Sequence, residues 1–502
     1  MKQLDPDICY RALQTRDPRF DGRLFVGVTS TGIYCRPICP ARTPKRENCR
    51  FFPTAAAAQE AGFRACLRCR PEISPELACS RGTSNSVSRA LALIAEGFLD
   101  REDGNVEALA TRVGMGARQL RRLFEQHLGA SPVAVAQTRR VLFAKQLIHD
   151  TRLSMAEVAM ASGFGSLRRF NDTFRTLYRR PPRELRRRKT RPAPDSSAVA
   201  PVILHMSYRP PYDWDAMLTY LNARAIDGME FVEHGIYRRT LSHEGGHGTV
   251  AVAHAPDRNA LMATIRLPSV RALHTIVTRV RHVFDVGADV STITSHLAKD
   301  QTLAPLIVSR PGLRTPGCWG GFELAVRAVL GQQITVEAAR QLVSRLVLLC
   351  GDPIHNAADP RLARTFPSPQ CVATADLSRI GMPQARRATL QALAQAAVSN
   401  PRLFEPLGSI EDSLAQLRAI RGIGPWTAQY IALRALRDPD AFPVTDIGIL
   451  RGAASLDGVV PTAPQLIRRA EAWRPWRAYA AQYLWTVESS TVQQPTEARH
   501  AK

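Results

Sequence analysis

No run of apolar residues in this 502-residue chain approaches the ~20 that a membrane-spanning helix needs. The opening stretch, MKQLDPDICY, has no apolar core of the kind a secretory signal carries. An intracellular protein with no membrane partner is therefore expected. No short-period repeat of solenoid type recurs, and no coiled-coil seam is present. Acidic residues are comparatively few, 44 Asp and Glu against 67 Lys and Arg, which leaves a formal charge of +23, mostly from arginine. Such a balance points first to nucleic acid and second to an acidic surface. Hydrophobic residues make up 45% of the chain, ample for packed cores, so global disorder is excluded. The length corresponds to roughly three or four domains.

Cysteine is present but unevenly spread. Of ten in all, Cys9, Cys35, Cys39, Cys49, Cys66 and Cys69 crowd the front with Cys79 just beyond them, whereas Cys318, Cys350 and Cys371 are scattered. Disulfides are rare inside cells, so a cluster of this kind signals a metal or chemistry. Composition separates the chain further. Residues 1–80 are rich in cysteine and arginine, and residues 84–189 alternate apolar and basic residues at helical spacing. TRPAPDSSAVAP, residues 190–201, reads as a linker because Pro, Ser and Ala dominate it. Residues 202–310 mix β-branched runs such as ATIRLP with helical stretches, an α+β pattern. Residues 311–492, rich in Ala and Leu at 3.6-residue spacing, predict an all-helical domain.

Cys35-x3-Cys39 and Cys66-x2-Cys69 bring two close pairs of sulfurs that suit tetrahedral Zn(II) better than an iron–sulfur cluster. Cys9 and Cys49 are candidate spare ligands. Arg36, Arg42, Lys45 and Arg46 would draw in a polyanion, while ionised sulfurs among them would repel one. Spacing alone leaves a structural zinc knuckle and a reactive centre both open. DPRFDGRLFVGVTSTGIYCRPICPARTPKREN with AGFRACLRCRPE resembles the N-terminal domain of the bacterial Ada family over about residues 5–75. The resemblance implies one zinc ion held by Cys35, Cys39, Cys66 and Cys69, with Cys35 accepting a methyl group from a methylated DNA phosphate. Physical chemistry agrees with that role. Four thiolates on Zn(II) leave a net charge of about −2 and keep sulfur nucleophilic. A methyl phosphotriester, having lost its charge, can approach where a diester is repelled. Arg42 and Arg46 would hold neighbouring phosphates. Transfer cuts the charge to about −1 and is irreversible, so DNA binding should tighten after a single turnover.

VEALATRVGMGARQLRRLFEQHLG and SMAEVAMASGFGSLRRFNDTFRTLYRRPP read as two helix-turn-helix units joined by a long helix around SPVAVAQTRRVLFAKQLIHD. Ala110, Val113 and Leu120 are apolar anchors, and the turns fall at Gly114 and at Ser162–Gly165. Recognition helices starting near Gly116 and Ser166 would offer Arg118, Gln119, Arg121, Arg168 and Arg169 to a major groove. RRPPRELRRRKTR could hold phosphates. The pattern is similar to the AraC-type DNA-binding domain over about residues 85–188, which Ada proteins place directly after the zinc domain.

An ordinary Ada continues with a second methyltransferase marked by PCHR, and this chain has no such motif. Instead LRAIRGIGPWTAQYIALRAL sets Gly422-Ile423-Gly424 between two helices, a turn whose backbone N–H groups can approach a phosphate. Asp446, in FPVTDIGI, taken alone would be a helix N-cap. With SYRPPYDWDAML and RPGLRTPGCWGGFELAVRAVLGQQIT, these segments resemble the alkylated-base glycosylase family AlkA over about residues 203–490. By that resemblance Asp446 is the catalytic carboxylate, which stabilises oxocarbenium character while orienting water. Trp426, Tyr430 and Trp485 line the base pocket, where a cationic base would gain from their ring faces. Gln333 takes the wedge position, and Gly422 and Gly424 contact DNA. Strand-nicking relatives carry a lysine where this chain has Trp426, so a monofunctional glycosylase is implied. Trp473 and Trp476 read as core, and His243, His247 and His254 as solvent-exposed rather than metal ligands.

The expected fold is multidomain and mainly α: a small α/β zinc domain, a double helix-turn-helix, an α+β domain and an all-helical helix-hairpin-helix domain. The expected function is irreversible methyl capture coupled to transcription regulation, plus excision of bases such as 3-methyladenine from double-stranded DNA. One Zn(II) is the cofactor, RNA polymerase is left open as a further partner, and a cytoplasmic, nucleoid-associated bacterial location is implied. Two alternatives stand beside it. One is a transcription regulator with a catalytically inactive glycosylase-like half, the other a zinc-stabilised DNA-binding protein without methyl transfer.

Overall fold

The computed structural model describes residues 5–75, 85–101, 103–186, 201–243, 246–354, 357 and 359–492. The expected linker, Pro201 apart, and the end of the basic tail lie outside the described residues. Two compact units interleave along the chain. The first comprises residues 1–208, 238–281 and 406–409, and the second residues 209–237, 282–405 and 410–502.

The first unit opens with α1 (Pro6–Gln14), capped by the Asp5 side chain. A small sheet follows, with strands β1 (Phe25–Val28), β2 (Ile33–Cys35), β3 (Cys49–Phe52) and β4 (Arg64–Ala65) in the order β3-β1-β2-β4. Strands β2 and β4 are parallel with Tyr34 opposite Ala65, so the next residues, Cys35 at the end of β2 and Cys66 just past β4, come side by side. Helix α2 (Ala55–Glu60) lays Ala56, Ala57 and Ala58 against Phe25, Tyr34, Phe52 and Phe63.

Next come α3 (Asn85–Ala95), α4 (Val106–Arg112), α5 (Ala117–Leu128), α6 (Pro132–Asp150), α7 (Met155–Ala161) and α8 (Leu167–Tyr178). Helix α5 buries Leu120, Phe124 and Leu128, and α8 buries Phe170, Phe174 and Tyr178. Each set recurs every fourth residue, which leaves the opposite, basic face to solvent. Ala110 and Val113 are buried with Leu120, and Gly114 makes its turn at φ 74°.

The long helix α6 belongs to two cores at once. Ala134, Val135 and Leu142 pack on the cluster of Phe25, Tyr34 and Phe52. Its fully buried Lys145 donates to the Cys66 carbonyl and to Glu72 Oε2, both at 2.7 Å, and Arg70 bridges Glu72 to Asp150. Burial alone would push the Glu72 carboxyl up, but Lys145 and Arg70 reverse this and hold it below its ordinary value.

The second sheet has the order β5-β9-β8-β7-β6, from β5 (Val202–Ser207), β6 (Glu230–Glu233), β7 (Ile236–His243), β8 (Gly246–Ala255) and β9 (Ala260–Arg266), with α9 (Trp214–Ala223) between β5 and β6. Strands β5, β9 and β8 pair antiparallel, and Val202, Leu204 and Met206 alternate inward as a one-faced sheet requires.

In the remaining helices α10 (Leu273–Val283), α11 (Val290–Leu297), α12 (Ala304–Ser309), α13 (Gly321–Leu330), α14 (Val336–Cys350), α15 (Pro369–Thr374) and α16 (Gln384–Ser399) precede the hairpin. The hairpin is α17 (Ile410–Arg418) and α18 (Pro425–Arg434), followed by α19 (Ile447–Asp457), α20 (Ala463–Ala470) and α21 (Arg477–Val492). Gly422 sits at φ 86°, and a Cβ there would lie 2.0 Å from Thr389 Oγ1, so both backbone shape and space demand glycine. Gly424 is the N-cap of α18. Trp473 and Trp476 are buried, as expected of core.

Lys145→Ala leaves the Cys66 carbonyl without its donor and strips Glu72 of one cation. A loss of about 3 kcal/mol is expected, read as faster hydrogen exchange along α6 than in the wild type.

Candidate functional site

The sulfurs of Cys35, Cys39, Cys66 and Cys69 all lie within 4.8 Å of one another. Tetrahedral Zn–S bonds of about 2.3 Å put ligand sulfurs roughly 3.8 Å apart, so the four fit one zinc ion. With protons alone, crowding among the sulfurs drives the thiols apart. Sharing led by Cys39 pushes the Cys35 thiol up, and sharing led by Cys35 pulls Cys66 down. Arg36 N–H donates to Cys69 Sγ and Arg68 N–H to Cys66 Sγ, each at 3.3 Å. Cys35 is half-buried, whereas the other three are buried. Cys9 and Cys49 are not spare ligands: both are buried in a separate apolar cluster with Leu13, Leu24 and Val26. Burial, aided by Asp5, pushes the Cys9 thiol up to about 11.

Of the basic residues around this cluster, Arg36 departs from the expectation. It is 7% exposed, paired with Asp21 and donating to the Cys69 carbonyl at 3.2 Å, so it holds the cage together and faces no polyanion. Arg42 is exposed. Arg46 is half-exposed and lies over Phe51 at 5.1 Å and Tyr10 at 5.8 Å, with Asp7 at 3.6 Å.

Helix α5 begins after Gly116 and α8 after Ser166, whose hydroxyl caps the Arg169 N–H. Arg118, Gln119, Arg121, Arg168 and Arg169 are all exposed. Arg121 is paired with Glu107 at 2.6 Å, and Arg168 lies 3.9 Å from Asp172.

In the second unit a cleft of about 1640 Å3 gathers the remaining predicted residues: Gln333, Gly422, Gly424, Trp426, Tyr430, Asp446 and Trp485. Trp426 Nε1 donates to Asp446 Oδ2 and Trp485 Nε1 to Asp446 Oδ1, both at 2.8 Å. Asp446 also caps α19 by accepting from Ile449 N–H at 3.1 Å, so the N-cap reading and the site reading describe one residue. Trp426 and Tyr430 stack at 5.3 Å and 11°, and Tyr430 meets Trp485 edge-on at 6.3 Å. Gln333 is exposed at φ 58°, a left-handed conformation unusual outside glycine.

Three residues escaped the sequence reading. Arg434 is buried beneath the aromatics, 4.8 Å from the Trp485 and Tyr220 rings and 5.7 Å from Tyr430. It follows Trp426 and Tyr430 at a spacing of four on α18, a signal that was available. Tyr220 and Arg224 come from α9 and its cap, more than two hundred residues earlier, with no local mark. The three histidines also differ from expectation. His243, His247 and His254 are half-buried rather than solvent-exposed, because β7 and β8 are sheet strands, and His254 lies 2.7 Å from Tyr208 Oη. Among the described residues the four cysteines alone form a metal-holding cluster, and no helix is long and apolar enough to cross a membrane.

Comparison with known proteins matches the metal-binding domain of Ada at residues 8–72 and a helix-turn-helix domain at 109–188. The AlkA N-terminal domain matches residues 203–320, and the HhH-GPD superfamily of base excision DNA repair proteins matches 326–478. A Mycobacterium tuberculosis protein described as a probable bifunctional transcriptional activator/DNA repair enzyme AlkA is 41% identical, covering 98% of each chain. The chain belongs to this fused Ada–AlkA family. DNA-3-methyladenine glycosylase 2 of Escherichia coli is 33% identical over 58% of this chain and 99% of its own length. A solved 3-methyladenine DNA-glycosylase from Archaeoglobus fulgidus shares the fold of the back half at 19% identity, with a TM-score of 0.51 over 57% of this chain and 98% of that one. In this chain the cysteine cage falls within the Ada match, and Gln333, Gly422, Trp426, Tyr430 and Asp446 fall within the HhH-GPD match.

Elemental analysis is expected to find one zinc per chain. Cys66→Ala removes a buried ligand and should lose most of that metal, with the front sheet unfolding on chelation as metal-held small domains do.

Proposed function

We propose that the protein both captures methyl groups from DNA phosphotriesters and excises alkylated bases, and that it regulates transcription according to its methylation state. The observation that carries the excision half is the single carboxylate, Asp446, held by two indole N–H groups at the wall of a large cleft. Fixed in this way, the carboxylate faces developing positive charge on the sugar without reorganising, and it can orient the attacking water. Trp426 and Tyr430 offer a stacked pair of rings for a flipped base. Trp426 also fills the position at which a lysine would form a Schiff base, so excision leaves an abasic strand intact. Gly422 and Gly424 bring bare backbone to a phosphate, and Gln333 fills the vacated stack. Domain limits of 1–80, 84–189, 202–310 and 311–492 suit these roles.

In the front half, bound zinc keeps the four sulfurs ionised and nucleophilic near neutral pH. Cys35 is the proposed methyl acceptor because it is the most accessible of the four and, among the described residues, takes no backbone N–H bond on sulfur. Sulfur attacks the methyl carbon, the C–O bond breaks, and its electron pair returns to the phosphate as the diester charge. Arg42 and Arg46 hold flanking phosphates, while Arg118, Gln119, Arg121, Arg168 and Arg169 face the major groove. RNA polymerase, recruited at the bound promoter, completes the regulatory role.

Asp446→Asn should slow release of 3-methyladenine from methylated duplex by roughly a hundredfold to a thousandfold in single-turnover assays, with zinc content unchanged. After incubation with DNA carrying methylphosphotriesters, mass spectrometry should show one added methyl on wild-type protein and none on Cys35→Ala. Equal release by both forms of residue 446, or a methyl on the Cys35→Ala chain, contradicts the respective half.

A further inference from the structure

Five residues, 331–335, join α13 to α14 on the lining of the cleft. Among them Gln332 is held by protein from four directions. Its N–H donates to the Val329 carbonyl at 3.3 Å, closing the last turn of α13. Its own carbonyl accepts from Arg386 Nη2 on α16 at 2.6 Å. The side-chain amide reaches across to the hairpin, where Nε2 donates to the Gly422 carbonyl at 3.2 Å. The same nitrogen lies 3.1 Å from Thr427 Oγ1, in the first turn of α18. The next residue, Gln333, is exposed and left-handed. So sparsely populated a conformation persists only where its surroundings over-determine it. Gln332 pins one side, and on the other Thr335 starts α14 by accepting from the Ala338 N–H at 3.2 Å.

The helix that holds the Gln332 carbonyl also braces the hairpin. Thr389 follows Arg386 by three residues on α16, hence on the same face, and its side chain fills the space beside Gly422. Because the peptide unit is planar, a fixed Gly422 carbonyl fixes the whole plane of its bond to Ile423. The turn that brings bare backbone to the surface and the loop that carries Gln333 are therefore tied twice. One tie is the Gln332 amide itself, and the other is the shared brace of α16.

We propose that Gln332 is a positioning residue that sets the register between the phosphate grip of the hairpin and the wedge at Gln333. Steps along one strand of the duplex are about 3.4 Å apart. A wedge displaced by a fraction of that spacing from the gripped phosphate meets a stacked base instead of the gap beside the lesion. Loss of the Gln332 amide leaves the hairpin able to hold DNA but frees the wedge loop to move relative to it. Duplex binding and base flipping thereby separate. The first needs the hairpin, whereas the second needs the fixed distance between hairpin and wedge. This inference rests on the glycosylase reading above, in which the hairpin takes a phosphate and Gln333 fills the vacated stack.

The test uses the full-length protein and a duplex with 2-aminopurine, a fluorescent base quenched by stacking, next to 7-methylguanine. Stopped-flow fluorescence reads flipping before base release, single-turnover assays read release, and titration of an undamaged duplex reads binding. Gln332→Leu, which keeps the bulk and removes the amide, should lower the fluorescence amplitude and the release rate together. The expected loss is about fivefold to tenfold, the size of one or two lost hydrogen bonds. Its affinity for undamaged duplex should stay within about twofold of wild type. Thr427→Val removes one of the two acceptors of the amide and should act in the same direction by less; it carries the test if Gln332→Leu fails to fold. Flipping and release within about twofold of wild type, with Gln333→Ala lowering both, overturn the inference and leave the glycosylase reading intact. Equal losses in flipping and in undamaged-duplex affinity overturn it too, since they mark a general structural role. A Gln333→Ala variant that flips and releases like wild type removes the wedge and the inference with it, and a wild type that releases no 7-methylguanine overturns the glycosylase reading as well.

Discussion

Asp446 is gripped by N–H donors from three separate helices: the Trp426 indole on α18, the Trp485 indole on α21 and the Ile449 amide at the start of α19. Its position is therefore set by the packing of the whole helical body and by no single loop. A small shift of any one helix would open one of these bonds and turn the carboxylate. The buried surfaces of these helices, among them Ala428, Ile431, Ile449, Ala480 and Leu484, thus serve the geometry of one oxygen pair as much as they serve stability. Trp426 and Trp485 have a double role. Each fixes the carboxylate with its nitrogen and presents a ring to the cleft, so damage to either would disturb chemistry and recognition together.

The front half solves a different problem of charge. Arginines attract a polyanion while four sulfurs concentrate negative charge, and the sheet keeps these two features from cancelling. Arg36, the arginine next to the cage, is turned inward and neutralised by Asp21. Arg42 stays at the surface. The split is enforced by the parallel pairing of β2 with β4, which delivers Cys35 and Cys66 together and directs the Arg36 side chain toward the Cys69 carbonyl.

Local features were legible in the sequence, and long-range ones were not. Gly116 and Ser166 mark helix starts because caps and turns are chemical signals within a few residues. Close cysteine pairs announce a metal because ligand spacing is itself short-range. The cleft aromatics on α18 could be placed by resemblance, but Tyr220 approaches from α9 through tertiary packing that no local pattern encodes. Arg36 was misread for the same reason, since a string of basic residues does not reveal which one finds a buried carboxylate. The interleaving of the two compact units is likewise invisible to composition, because segments 209–237 and 406–409 carry no mark of the body they join.

Helix α6 gives the front half an unusual kind of indivisibility. It contributes Val135 to the clusters behind both the small sheet and α5, and its Lys145 closes over a ligand's carbonyl. A recombinant fragment ending at residue 75 would therefore lack Ala134, Val135 and Leu142, which pack on its interior. A fragment that runs through α6 keeps these contacts, and it necessarily carries the cysteine cage together with the first recognition helix.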